Sequence, residues 1–269
     1  MSRRTGRLLS ILFCFIVMVL SSRYLQYPRK VFRYVMNKLG YELVPLSIKS
    51  VSHIKGVYIS AEETISTASK LGLSVCEYVE SVWNQKGGTQ FIVDSINAYF
   101  DLKKVKNVLE IGAGTGRYLE KILAIVHPDT YESYEVAEDW ARWLAKTYHI
   151  TSHNADGKTL NMTKDNSIDF LHAHGVFVFL PFLVTISYFQ EIARVVKSGG
   201  YVVFDIYAED CFDDDILKKW LSSKHSYPCF LSTDYTVGFF GSHGFELRGS
   251  FHNPKHGQGK SKYLIFQKM

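Results

Sequence analysis

Residues 105–116 read Val105-Lys106-Asn107-Val108-Leu109-Glu110-Ile111-Gly112-Ala113-Gly114-Thr115-Gly116. A short apolar strand runs into three alternating glycines, and Arg117 then opens a helical stretch. Glycine suits such a turn because the backbone bends tightly and a ligand must approach bare main chain. The N–H groups at the start of the helix would face the negative end of that ligand, here a carboxylate. Gly112, Ala113, Gly114 and Gly116 are therefore candidate binding residues. The spacing departs from a dinucleotide turn. The third glycine follows the second by two residues and is itself followed by Arg117, so the G-x-G-x-x-G pattern fails. Glu110 stands two residues before the first glycine, where dehydrogenases usually keep an apolar side chain. The plain alternative is a glycine-rich strand–helix turn that holds no ligand.

Working outward, the next candidate is Glu135, within the strand Tyr131–Val136 and 19 residues after Gly116. A carboxylate at the carboxyl end of a second parallel strand can accept hydrogen bonds from both hydroxyls of a ribose. Val136 adjoins it. Glu132 and Glu138 compete for the role, but strand position favours Glu135. Beyond a third strand lies Asn154-Ala155-Asp156-Gly157. Asp156, between Ala155 and Gly157, can receive an adenine amino group, while an Asp-Gly turn that serves only the chain explains the residues nearly as well. Asp169 is read as ordering the start of the fourth strand. In Glu191–Val203 a helix with a basic end meets Gly199-Gly200, read as its C-cap, with Lys197 near the negative end of the helix dipole.

From residue 105 onward strands and helices alternate. Strands are expected at Asn107–Ile111, Tyr131–Val136, Ile150–Ser152, Ile168–Ala173 and Tyr201–Tyr207, with helices at Arg117–Val126, Glu138–Tyr148 and Pro181–Val196. This order predicts a mainly parallel sheet with helices on both faces. Phe245–Phe251 and Lys262–Gln267 have no helix between them and read as an antiparallel hairpin. Upstream, Ser60 is placed to cap a helix that starts Ala61-Glu62-Glu63. Val75, Tyr78, Val79, Val82 and Trp83 fit one face of a second helix, and Gly87-Gly88 breaks it. Phe91, Ile92, Ile96 and Phe100 mark a third. With 46% hydrophobic and 21% charged residues among 269, a packed globule is expected and bulk disorder is not. The net charge of +5 is scattered and does not point to nucleic acid. Cys14, Cys76, Cys211 and Cys229 lack metal-ligand spacing and read as reduced thiols.

Taken together, residues 105–206 resemble class I S-adenosylmethionine-dependent methyltransferases of the small-molecule group. Glu110, Gly112, Gly114 and Gly116 match the family's first strand and glycine turn, Glu135 the acid after its second strand, and Ala155 and Asp156 the residues after its third. Arg194–Gly200 matches the turn into the fifth strand, with Ser198 where the family has proline. Lys38-Leu39-Gly40-Tyr41-Glu42-Leu43-Val44-Pro45 resembles the leader of bacterial envelope-glycan methyltransferases. The resemblance implies an α/β fold, a Rossmann-like seven-stranded mostly parallel sheet with an antiparallel C-terminal hairpin and helices on both faces. It also implies S-adenosyl-L-methionine as cofactor, with Glu110 toward the methionine ammonium.

Methyl transfer is an in-line displacement in which the cofactor carries the activation, so positioning does much of the catalysis. An alcohol acceptor also benefits from a base. His172 and His174 end the fourth strand, and Asp205 and Tyr207 end the fifth. His174 is the leading candidate base, with His172 and Asp205 beside it as further catalytic candidates. Contact of His174 with the cofactor alone is the alternative. His172, His174 and Asp205 could also hold a divalent ion, but two histidines at i and i+2 are a weak signal, and no metal site is assigned. Aromatic residues between Trp83 and Phe240 can stack on sugar faces or hold a lipid, or simply build the core.

At the N-terminus, Arg3, Arg4 and Arg7 precede a charge-free stretch from Leu8 to Ser22. It is shorter than the roughly 20 residues that span a bilayer comfortably, and it also fits a secretory signal. A cleaved signal would carry the enzyme away from cytosolic S-adenosylmethionine. The expected organisation is a membrane-anchoring apolar helix within 1–30, a helical cap at 31–100 and the methyltransferase domain at 101–269, facing the cytoplasm. The expected activity is O-methylation of a glycan or lipid-linked saccharide at the membrane. Rivals are a lipid or quinone-like acceptor, a catalytically silent methyltransferase-like binding module, and a nicotinamide oxidoreductase, which the glycine spacing and Glu110 disfavour.

Overall fold

The computed structural model describes residues 59–83, 85–222, 228–254 and 259–269. The apolar segment at Leu8–Ser22 and the boundary at residue 30 lie outside the described residues. Among the described residues no helix is long and apolar enough to cross a membrane.

Three helices come first: α1 (Ala61–Lys70), α2 (Val75–Val82) and α3 (Gly88–Asn97). Ser60 caps α1 as expected, its side chain accepting from the Glu63 N–H. Ser74 and Glu77 form a reciprocal capping box on α2. The buried face of α2 is not the one its apolar spacing predicts. Val75, Cys76, Val79 and Glu80 face inward, and Val82 is 59% exposed. The reason is polar. The Glu80 carboxylate accepts from the Gly87 and Thr89 N–H groups at 2.8 and 2.9 Å, which turns the helix and anchors the start of α3.

The alternating part follows: β1 (Asn107–Ile111), α4 (Arg117–Leu123), β2 (Thr130–Glu135), α5 (Glu138–Tyr148), β3 (Thr151–Asn154), β4 (Ile168–Ala173), α6 (Phe182–Val195) and β5 (Val196–Ile206). Then come α7 (Asp214–Ser222), α8 (Thr233–Ser242), β6 (Phe245–Pro254) and β7 (Lys260–Lys268). The sheet has seven strands in the order β3-β2-β1-β4-β5-β7-β6. The first five pair in parallel, and β7 runs antiparallel to both β5 and β6. This is the expected sheet, closed by the expected hairpin. Cys76, Cys211 and Cys229 are free thiols.

The Gly199-Gly200 pair does not cap the preceding helix. Helix α6 ends at Val195, and its C-cap residue Val196 is already extended. Val196 pairs with Ile168, and the strand then bulges before Tyr201 meets Phe170. Both glycines lie in that bulge. A Cβ on Gly200 would sit 2.9 Å from the Ile168 carbonyl oxygen. Lys197 pairs with Asp169, which also accepts from the Asn107 N–H and so orders the strand starts. The carbonyls at the end of α6 are met by Lys268, whose Nζ lies 2.8 Å from the oxygens of both Ala193 and Val196.

Strand residues alternate between two faces. One face carries Leu109, Ile111, Leu171, Val202, Phe204 and Phe266 against α6 and α8. The other packs Val108, Phe170, Val203 and Ile265 against α3, α4 and Leu144 of α5. On that second face the buried polar side chains gather: Glu110, Ser133, His172 and Asp205 are each at most 1% exposed.

Candidate active site

The glycine turn leaves β1 with Gly112, Gly114 and Gly116 all at positive φ, +69°, +53° and +73°. The three are needed for different reasons. A Cβ on Gly112 would meet Val176 at 2.7 Å, and one on Gly116 would meet Leu144 at 2.5 Å, so these two permit close packing. A Cβ on Gly114 would touch nothing nearer than the Gly112 carbonyl oxygen at 4.0 Å. Gly114 thus fronts open space, a cradle where main chain can meet a ligand. Ala113 is buried, with its methyl in the core.

Glu135 closes this cradle from β2. Its Oε2 accepts from the Gly114 N–H at 2.6 Å and its Oε1 from the Ala137 N–H at 2.8 Å. Burial holds its carboxyl above the usual range. The competing acids are elsewhere: Glu132 bonds His153 at 2.7 Å, and Glu138 is exposed at the start of α5. Val136 and Gly157 face each other beside the cradle, since a Cβ on Gly157 would lie 3.7 Å from Val136. Ala155 packs on the core. Asp156 turns its oxygens to the Lys158 and Thr159 N–H groups and the Thr159 hydroxyl, at 2.7–2.9 Å, so it closes its own turn.

Glu110 sits under the turn, not in the cleft. It is 1% exposed, and its Oε2 accepts from the Tyr131 hydroxyl at 2.7 Å. Burial pushes its carboxyl up to about 8. His172 meets the same hydroxyl through Nε2 at 3.0 Å and has no exposed surface. Burial takes its ring down to about 3, leaving it neutral. Asp205 is buried as well. It is 1% exposed and its Oδ1 accepts from the Gly175 N–H at 2.6 Å, which pins the loop after β4. His172 and Asp205 lie on the sheet face whose apolar neighbours Phe170, Val203 and Tyr263 pack with α3 and α4.

His174 follows the end of β4. It is half-buried, one ring face stacked on Tyr118 with centroids 3.6 Å apart. Its Nδ1 lies 3.2 Å from the Tyr263 hydroxyl, and its Nε2 is buried without a hydrogen-bond partner. Burial, with help from His172 and Arg117, keeps the ring neutral well below its ordinary value. His172, His174 and Asp205 do not form a ligand set. Among the described residues the His/Cys/Asp/Glu cluster at metal-ligand separations is Asp210, Cys211 and His252, and Lys262 already occupies the same Asp210 oxygen at 3.0 Å.

Past the end of β5, Tyr207, Phe212, Leu217, Trp220 and Phe230 line a cavity of about 190 Å³. Sequence reasoning missed Tyr118, Tyr131 and Tyr263 as parts of the site. For the two strand residues the signal is pairing register, since Tyr131 lies beside Val108 and Tyr263 beside Asp205, and neither is legible without the sheet; Tyr118 lies on α4.

A parallel sheet with one reversed strand, a glycine cradle at the carboxyl end of β1 and an acid from β2 tied to it define a class I S-adenosylmethionine-dependent methyltransferase. Residues 85–248, more than half of the chain, match the methyltransferase domain model, and the chain belongs to that family. A Burkholderia thailandensis 1,6-didemethyltoxoflavin-N1-methyltransferase with 1,6-didemethyltoxoflavin and S-adenosylhomocysteine bound is similar, at TM-score 0.53 and 14% identity, over 80% of this chain and 93% of that one. A Mesorhizobium loti S-adenosylmethionine-dependent methyltransferase gives TM-score 0.51 and 12% identity over 65% and 96%. The [4+2]-cyclase SpnF gives TM-score 0.51 and 13% identity over 68% and 82%. No curated protein matches the sequence. The cofactor is S-adenosylmethionine, and the open space over Gly114, backed by Glu135, fits it.

Proposed function

We propose that this enzyme methylates an oxygen of a glycan or lipid-linked saccharide, with His174 as the base and the apolar segment at 8–22 holding the domain to the cytoplasmic face of a membrane. The observation that carries the reading is His174: a half-buried residue just past the end of β4 whose neutral ring holds a buried Nε2 with no hydrogen-bond partner, an atom that a bound acceptor's hydroxyl would satisfy. The bound cofactor supplies the activated methyl group. The chain's part is to hold the acceptor in line and take up its proton. With Nδ1–H donated to the Tyr263 hydroxyl, the Nε2 lone pair is left to accept the acceptor's hydroxyl proton. Stacking on Tyr118 fixes the ring plane, and Asp205 fixes the loop that follows. The aromatic cavity beyond β5 supports an acceptor with a sugar face or an apolar portion.

A second reading, a lipid or quinone-like acceptor, is favoured by that same cavity, whose lining is almost wholly apolar. His174→Ala separates this from the main reading once turnover is assayed with candidate acceptors. Turnover should fall by about 10²–10⁴-fold while S-adenosylhomocysteine affinity persists. Equal turnover removes His174 from the mechanism. Sedimentation of the full chain with membranes after an alkaline wash tests the anchor.

A further inference from the structure

Arg117 is the first residue of α4, directly after Gly116. Its guanidinium lies 4.9 Å from the ring centroids of both Trp83 and Tyr118. Its Nη1 donates to the Gln85 side-chain oxygen at 3.0 Å. A guanidinium has five N–H donors, and aromatic faces satisfy its charge only in part. Arg117 is half-buried, yet among the described residues it makes no ion pair with a carboxylate. The other half-buried arginine among the described residues behaves differently: Arg194 pairs with Asp165 and Glu191. Charge is not short nearby. Glu80 feels Arg117, but spends its carboxylate on the Gly87 and Thr89 N–H groups. The cation is thus fixed in direction by two rings and an amide and, among the described residues, left without a counter-charge. Tyr118, one of those rings, stacks on His174, so the cation stands one aromatic ring away from the candidate base.

We propose that Arg117 is the receptor for a carboxylate, or an equivalent anionic group, bound beside the glycine cradle. The proposal rests on the methyltransferase reading. Two sources share this chemistry: the amino-acid carboxylate of the cofactor, and an acidic group on the acceptor. Arginine suits either, because its planar fork meets a carboxylate or phosphate with two parallel hydrogen bonds. Trp83 and Gln85 then acquire a role. They belong to the α2–α3 connection, and they hold the guanidinium in place before the anion arrives, which reduces the entropy lost on binding.

Calorimetry on the full chain decides it, using wild type, Arg117→Met and Arg117→Lys. Methionine keeps an apolar stem against the two rings, and lysine keeps the charge without the fork. The probes are S-adenosylhomocysteine and 5′-methylthioadenosine, which shares the nucleoside and sulfur but has no amino-acid group. If the cofactor is the source, Arg117→Met binds S-adenosylhomocysteine about 10- to 100-fold more weakly, with 5′-methylthioadenosine unchanged and Arg117→Lys in between. If the acceptor is the source, both nucleosides bind all three proteins alike. Benzoate or inorganic phosphate then raises the thermal midpoint of the S-adenosylhomocysteine-loaded wild type and not of the loaded Arg117→Met. Equal S-adenosylhomocysteine affinity with no discrimination by either anion overturns the proposal. So does an equal loss for both nucleosides in Arg117→Met and Arg117→Lys, which would mark Arg117 as structural. A wild-type protein that binds neither nucleoside would instead refute the cofactor assignment.

Discussion

The two faces of this sheet are built from the same strands and do opposite things. On the α6–α8 face, Phe177, Phe189, Phe204, Phe240 and Phe266 pack ring on ring, with neighbouring centroids 4.5–5.9 Å apart and no buried charge among them. On the α3–α4 face, Glu110, Tyr131, His172, Asp205 and Tyr263 occupy equivalent strand positions and carry polar atoms into equal burial. The first face gains from every side chain it hides. The second pays desolvation, offset only where hydrogen bonds are complete. Both sides carry an apolar core, and the buried ionisable strand residues Glu110, His172 and Asp205 gather on one of them.

The hardest test of this division is Phe204→Ala. Phe204 has no exposed surface and contacts Phe177, Phe189, Phe240 and Phe266. Urea unfolding should show a loss of about 3–5 kcal/mol, while the folded fraction binds S-adenosylhomocysteine as before. If binding disappears at unchanged stability, the division is wrong.

A smaller effect is expected at Glu110, on the polar face. Burial raises its carboxyl from 4.5 to about 8, so the native state holds this proton more tightly than the unfolded chain does. Its contribution is fully present below about pH 4.5 and is lost as pH rises toward about 8. Glu110→Gln should flatten that decline, worth a few kcal/mol, in urea midpoints taken at about pH 5 and about pH 8. An unchanged pH slope would show that Tyr131 already compensates the charge.

The smallest effect is at Ser133, whose hydroxyl is fully buried on the polar face without a partner. Ser133→Ala should be neutral or raise stability by up to about 1 kcal/mol, since it removes an unsatisfied hydroxyl. A clear loss by calorimetric melting would reveal a partner for that oxygen and a more complete polar layer.

The glycine turn, the five parallel strands and the closing hairpin were legible because each rests on local signals: period-two apolar runs, glycines at fixed offsets and helical stretches between. Glu135 was legible for the same reason, as a strand-end acid. What failed depended on partners distant in sequence. Gly199-Gly200 looks like a helix stop, yet Ile168 pairs with Val196 and draws the chain into a strand first. Val82 looks buried, yet Glu80 turns α2 toward its own hydrogen bonds. His172 and Asp205 carry reactive groups at strand ends, and their burial is set by what packs over the strands. Arg117 was visible as the residue that breaks a dinucleotide spacing, and only its lack of a counter-charge among the described residues gives it a further meaning.

The strand order also bears on how the chain is made. Strand β7 is inserted between β5 and β6, although it follows both in sequence. On the ribosome, β5 emerges with one edge paired to β4 and the other open, and it stays open until residues 260–268 appear. Tyr201–Ile206 then waits as an apolar, unpaired edge, the kind of surface that invites pairing with another nascent chain. The bulge that precedes Tyr201 bends that strand, and bulges are one device by which exposed edges are kept from finding a partner.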